Sequence, residues 1–237
     1  MSEKSLTIIE LPELALAFIP VIVVLFIQFK WSLLQRRTML ALIRMLIQLL
    51  FVGFFLSYIF ESNSAWLVLS LLMVMVLFSS WIALNNIKAS KGFLFKRAIL
   101  ATSVSGILTL FIITQGVLQL TPWYQPQTVI PLAGMIFASC MNSISLSGER
   151  FYAELLNKAS YEQARNIAFQ ASMIPNVNAL LAVGIVSLPG MMTGQILSGV
   201  SPFIAVRYQI MVMCMVFASA GISSAYFLYL NKPKKNG

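Results

Sequence analysis

The sequence contains no histidine and no aspartate, and its acidic residues are seven glutamates. Without histidine there is no His-Glu-x-x-His zinc motif and no Ser–His or Cys–His pair for nucleophilic catalysis. Without aspartate there is no aspartyl dyad, and no Gly-x-x-x-x-Gly-Lys-Ser/Thr loop is present to bind ATP. We therefore expect this chain not to be an enzyme, to have no catalytic residue and to carry no cofactor of its own.

Charged residues are also scarce, at 10% of the chain, whereas a soluble domain averages about 25%. Apolar residues make up 59% of the 237 residues, and the mean hydropathy is +0.87. The two cysteines, Cys140 and Cys214, lie in apolar runs and are interpreted as small buried residues. The composition predicts an all-α polytopic protein whose surroundings are a lipid bilayer.

A helix needs about 20 mostly apolar residues to cross a membrane. The apolar runs, divided where proline or Pro-Gly pairs interrupt them, give seven such segments. The predicted spans are about 11–29, 39–60, 65–87, 98–120, 128–147, 171–188 and 205–230. The segments outside them are too short to fold alone, so residues 1–237 are predicted to form a single transmembrane domain.

The basic residues are distributed unevenly between the two sides of the predicted membrane. The net charge is +9, and 13 of the 16 lysines and arginines fall in alternate loops or in the C-terminal tail. This pattern is typical of membrane topology rather than of a nucleic-acid partner. By the positive-inside rule, the N-terminus is predicted outside and the C-terminus inside.

The charged segment at about 148–167 joins the fifth and sixth predicted spans. Its apolar residues from Phe151 to Ala159 recur at helical spacing, and Ser160 with Gln163 matches a capping box. The pattern predicts a short helix, a turn and a second helix that feeds the sixth span. Two interpretations stay open: a docking element for a cytoplasmic partner, and an interfacial helix on the lipid headgroups.

The uncharged segment at 187–202 contains three glycines between two prolines on the predicted outer side. It is either an irregular gate or pathway element, or a tight hairpin packed through small residues.

Polar residues also occur inside the predicted spans. Arg44 and Gln48 share a helix face inside the second span, where they could face the protein interior, but Arg44 could instead snorkel to the inner headgroups. Hydroxyl and amide residues late in the fifth span and early in the sixth either bond between helices or line a cavity. The methionines are more typical of packing than of metal ligation, so metal ligands remain unknown.

Three stretches resemble the FetB-type permeases, which are membrane subunits of ATP-binding-cassette transporters. The most specific is the glycine-rich run at 187–202 with its PGMMTGQ sequence, followed by AVRYQIMVM. The stretch at 43–56 is similar to the family's second-span pattern, and the stretch at 133–146 is similar to its fifth-span pattern. The likeness covers nearly the whole chain. Lys158 stands where that family often has glycine.

The resemblance implies an exporter of the bacterial inner membrane, linked to iron and metal homeostasis. Two permease chains would pair with two copies of a separate cytoplasmic ATPase, which would bind ATP and Mg. Plant members of the family are linked to aluminium tolerance. The residues expected to couple to the ATPase are Glu149, Arg150, Glu154, Ser160, Glu162 and Arg165. The residues expected in the pathway are Arg44, Gln48, Met141, Asn142, Asn178, Met191, Met192, Thr193, Gln195 and Arg207.

Two other functions remain as alternatives. A non-transporting assembly factor or sensor would use the segment at 148–167 to bind a partner, and it would show no flux. A secondary transporter would run on an ion gradient, although such coupling usually needs carboxylates inside the membrane.

Overall fold

Helices make up the regular structure of the residues described by the computed structural model, which are 9–33, 35–61, 64–87 and 91–233. One isolated β-bridge, between Val183 and Ser187, accompanies them in these ranges. The helices are α1 (Leu11–Leu16), α2 (Ile19–Lys30), α3 (Gln35–Glu61), α4 (Ala65–Ala83), α5 (Lys91–Phe111), α6 (Pro126–Leu156), α7 (Tyr161–Ala182), α8 (Gly190–Leu197) and α9 (Pro202–Leu230). A π-helical turn, Ile112–Val117, continues α5.

Six helical segments of the described chain are long and apolar enough to cross a membrane. They are Leu11–Lys30, Arg36–Phe60, Ala65–Ala83, Gly92–Val117, Pro126–Leu156 and Pro202–Leu230. These segments confirm the prediction of an all-α polytopic membrane protein. The predicted sixth span, 171–188, falls on α7, which is not among the six because its first half is polar. The count of seven crossings therefore stays a prediction.

Three helix boundaries differ from those expected. The fifth predicted span and the short helix expected after it form one helix, α6, because no residue between Gly148 and Leu156 breaks the helical pattern. The helix of the sixth predicted span begins at Tyr161, as the capping box predicts, but it ends at Ala182, six residues short of the expected end. The glycine-rich segment contains a regular eight-residue helix, α8, which begins after Pro189.

The chain divides into two compact units at residues 62 and 63. The first unit contains α1, α2 and α3, and α2 contacts α3. Its side chains are mostly exposed and apolar, as in Phe54, which is typical of helices that face lipid. The second unit contains α4 to α9 and most of the buried residues.

Two apolar clusters establish the direction of the helices in the second unit. One joins the middle of α4, the turn after α5 and the first halves of α6 and α9. The other joins the end of α4, the start of α5, the second half of α6 and the end of α9. Helices α4, α6 and α9 therefore run in one direction, and α5 runs in the opposite direction.

Small and hydroxyl residues allow these helices to approach closely. Ser105 of α5 donates a hydrogen bond to the carbonyl of Ser219, and Ser139 of α6 donates one to the carbonyl of Val216, each at 2.9 Å. A Cβ added at Gly106 would overlap the ring of Phe137. In lipid, close packing and hydrogen bonds of this kind hold helices together, because the hydrophobic effect does not drive helices to associate there.

Candidate functional site

A cavity of about 400 Å³ lies where α6, α8 and α9 meet, and we name it the α8 cavity. Three methionines from the three helices and several amide side chains line it. Its walls are Leu118, Leu120, Gln125, Gln127, Thr128, Pro131, Leu132, Met135, Met191, Gln195, Tyr208 and Met211. The Gln125 amide donates to the carbonyl of Thr121 at 2.9 Å. The Gln195 amide oxygen is buried and has no hydrogen-bond partner within the described ranges.

A second cavity, of about 340 Å³, lies among α6, α7 and α9, and we name it the α7 cavity. Hydroxyl and amide groups supply its polar atoms. Its walls are Met135, Ala138, Ser139, Asn142, Ser143, Leu146, Ser172, Pro175, Asn176 and Val216. All ten side chains are uncharged, so this cavity can offer hydrogen bonds to a solute but no ionic contact.

The polar groups of the α7 cavity differ in whether they are already bonded within the protein. Ser172 donates to the carbonyl of Phe169 at 2.8 Å, and the Asn176 amide donates to the carbonyl of Ser172 at 3.3 Å. The Ser143 hydroxyl is buried and has no partner in the part of the chain that the structure describes. Pro175, which lies inside the continuous helix α7, has no N–H to donate to the carbonyl of Ala171 beside the cavity.

Both cavities share one face of α6. The α6 residues that line them, from Gln127 to Leu146, recur every three or four positions, which is the spacing of a single helical stripe. From Thr128 to Leu146 this stripe is about 27 Å long at 1.5 Å per residue. That length is close to the hydrocarbon thickness of a bilayer, about 30 Å. Met135 is the residue that lines both cavities.

The structure brings together three of the ten predicted pathway residues at these cavities. Met191 and Gln195 line the α8 cavity, and Asn142 lines the α7 cavity. The others line neither one. Met141 packs against the second apolar cluster, Met192 is partly buried on α8, the Thr193 hydroxyl bonds the carbonyl of Pro189, and Asn178 and Arg207 are exposed. Arg44 and Gln48 are exposed on α3, in the first unit.

Sequence reasoning missed Met135, Thr128 and Tyr208 as cavity residues. A signal for the first two was present, because the polar residues Gln127, Thr128, Ser139, Asn142 and Ser143 all fall on one helical stripe. No comparable signal marks Tyr208, since α9 has no distinct polar face.

The turn between α6 and α7 is held by backbone and side-chain caps at both helix ends. The N–H of Ala159 bonds the carbonyl of Glu154, and the N–H of Lys158 bonds the carbonyl of Leu155, each at 3.1 Å. This is a Schellman motif, and it places Lys158 in the left-handed region at φ 64°. Ser160 and Gln163 then form the predicted capping box at the start of α7.

The turn displays most of the residues predicted to couple to an ATPase. Arg150 and Glu154 form an ion pair at 2.7 Å on the last turns of α6. Arg165 bonds the side chain of Asn166 and lies 5.8 Å from the ring of Tyr161. Glu149, Ser160 and Glu162 are exposed. The coupling role of these residues stays a prediction.

Hydrogen bonds fasten this turn to the end of α9. Asn231 accepts from Arg97 at 2.6 Å and from Tyr152 at 2.9 Å, and so joins α5, α6 and α9. The Tyr161 hydroxyl donates to the carbonyl of Leu228 at 3.1 Å. Burial raises the pKa of the Tyr161 phenol, and Arg165 partly offsets the rise, so the phenol remains a donor at neutral pH.

The basic residues of the second unit cluster at the end where this turn lies. We name this the basic end, defined by Lys96, Arg97, Arg150, Lys158, Arg165 and Lys232. At the opposite end, the described residues include one base, Arg207, near the start of α9. The α7 cavity is the nearer of the two to the basic end, since it lies along the later part of α6.

Comparison with known proteins finds relatives over almost the whole chain. Residues 11–234 match the family described as Uncharacterised protein family (UPF0014). A UPF0014 membrane protein of Synechocystis is 36% identical over 199 residues, which cover 76% of each chain. The Escherichia coli protein named Probable iron export permease protein FetB is 33% identical over 238 residues, 94% of this chain and 90% of that protein. The Arabidopsis thaliana protein ALUMINUM SENSITIVE 3 is 28% identical over 207 residues, 80% of this chain and 74% of that protein. No solved structure matches the chain.

Proposed function

Because the chain belongs to the UPF0014 family of membrane proteins, we propose that it is the permease subunit of an ATP-binding-cassette transporter. The single observation that carries this proposal is the stripe on α6 that lines two partly polar cavities in series. A stripe of about 27 Å matches the hydrocarbon thickness, as a transport route requires. A scaffold or sensor has no need of such a lining.

The proposed topology has seven crossings, with the N-terminus outside and the C-terminus inside. Residues of α7 line one cavity and residues of α8 line the other, so the chain from α7 to α8 returns along α6 in the opposite direction. This return is the sixth crossing. The basic end of the second unit supports its assignment to the cytoplasmic side of a bacterial inner membrane.

The energy source in this proposal is a separate cytoplasmic ATPase that binds ATP and Mg. Its contact is the turn between α6 and α7, where Glu149, Glu162 and Ser160 are exposed. Movement of the turn would reach the cavities through α9, because Tyr161 bonds α9 at Leu228 and Val216 of α9 lines the α7 cavity. Two permease chains would form a homodimer on two ATPase copies.

The proposed direction is export, linked to iron or metal homeostasis, as the name of the Escherichia coli relative suggests. Iron is usually ligated in proteins by imidazole, carboxylate or thiolate groups. The walls of both cavities instead present amide, hydroxyl and thioether groups. A metal complex with an organic ligand therefore suits these walls better than a bare cation.

The decisive test is reconstitution of the chain with the ATPase that co-purifies with it from its native cells in mild detergent. Candidate iron complexes and ATP are supplied on the side of the proteoliposome membrane that carries the ATPase, and ATP-dependent flux to the other side is compared with flux from an ATPase variant that cannot hydrolyse ATP. Flux that requires hydrolysis supports the transporter. Flux that follows an ion gradient without ATP would support a secondary transporter, and a partner without flux would support a sensor or assembly factor.

A further inference from the structure

We propose that Met135 is the barrier between the two cavities, which are the alternately open ends of one translocation route. The inference rests on the proposed function, since only a transporter needs a route closed at one point. The inference assigns the closure of the route to one residue on the stripe of α6, whose side chain separates the two sides of the membrane.

The barrier is thin along both helices that run past it. On α6, the residues that line only the α8 cavity end at Leu132, and those that line only the α7 cavity begin at Ala138. The six-residue step from Leu132 to Ala138 corresponds to about 9 Å along the helix axis. On α9, Met211 lines the α8 cavity and Val216 lines the α7 cavity, five residues or about 8 Å apart.

Methionine has the properties that a movable barrier requires. Its side chain is unbranched and flexible, so it can adopt several rotamers without breaking a hydrogen bond. Met135 is only partly buried, and it packs against the first apolar cluster together with Val216. A small shift of α9 would therefore change the space open to this side chain, whereas Ala138, one turn further along, is too short to close the route.

The barrier is tested by thiol accessibility in sealed membrane vesicles that contain the full chain. Exposed Cys214 is first replaced by serine, and buried Cys140 is kept and sets the background. Thr128→Cys then reports on the α8 cavity and Asn142→Cys on the α7 cavity, both on the same stripe of α6. The probe is a charged, membrane-impermeant methanethiosulfonate, added to right-side-out and to inside-out vesicles.

We expect the two cysteines to react from opposite faces of the membrane, each with a preference of about tenfold for its own face. The proposal would be overturned if both cysteines reacted from the same face, if they reacted equally from both faces, or if one of them did not react at all. A cysteine that does not react would mean that the cavity it reports on is not open to water.

The role of Met135 itself is tested by shortening its side chain. In the Asn142→Cys background, Met135→Ala or Met135→Val should raise labelling from the far face about tenfold, whereas Met135→Leu should preserve the preference. Met141→Ala is the matched control, because Met141 lies on the same helix but lines neither cavity. An unchanged face preference in both shortened variants would show that Met135 is not the barrier.

These labelling results do not depend on the ATPase or on a known cargo. Labelling of each cysteine from its own face only, without ATP-driven flux, would overturn the ATP-driven transporter and leave a barrier in a route that is driven in another way. ATP-driven flux with two-sided labelling would overturn the barrier and leave the transporter.

Discussion

Loss of the Asn231 side chain should weaken the basic end, because this side chain joins α5, α6 and the end of α9. The residue is 6% exposed, and its side chain accepts hydrogen bonds from Arg97 and Tyr152 and donates one to the carbonyl of Phe227 at 2.7 Å. Asn231→Ala leaves both donors without their acceptor. The bond from charged Arg97 contributes about 1.5–3 kcal/mol and the bond from Tyr152 about 0.5–1.5 kcal/mol. Because Arg97 is partly exposed and water can replace its partner, we expect a loss of about 2–3 kcal/mol.

The assay is reversible unfolding in mixed micelles, with the detergent composition varied and tryptophan fluorescence recorded. Asn86→Ala is the matched control, since Asn86 is exposed in the turn that follows α4, and its change should stay within about 0.5 kcal/mol. A double-mutant cycle with Tyr152→Phe should give a coupling energy of about 1 kcal/mol. If Asn231→Ala were no more destabilising than Asn86→Ala, the network would not hold the basic end together.

Three further changes test other parts of the structure. Lys158→Gly should raise the free energy of unfolding by about 1 kcal/mol, because glycine adopts the left-handed region without strain, whereas Lys158→Ala should not. Gly106→Val should lower the free energy of unfolding by about 1–3 kcal/mol, because the new side chain overlaps Phe137. Gly53→Ala should instead raise it by up to about 1 kcal/mol, because the described residues leave open space around a new Cβ there. Glu162→Lys should leave folding intact but reduce ATP-driven flux relative to ATP hydrolysis, with exposed Gln170→Lys as control; fully coupled flux would contradict docking at the turn.

The periodicity and composition of the sequence determine that this chain is a helical membrane protein. In lipid, the backbone N–H and C=O groups of a long uncharged run can form hydrogen bonds only within their own helix. The spans can therefore be predicted without tertiary structure. The turn at 157–160 could also be predicted, because a capping box is a local pattern of two residues, Ser160 and Gln163.

The packing of the helices decided what the sequence could not show. In the sequence Arg44, Asn178 and Met141 are alike as polar or soft residues within spans, yet none of them lines the α8 cavity or the α7 cavity. Met135 looks like an ordinary packing residue until α7, α8 and α9 are placed around it. Whether a side chain lines a cavity depends on which neighbouring helices leave space beside it, and that space is created by contacts between residues far apart in the chain.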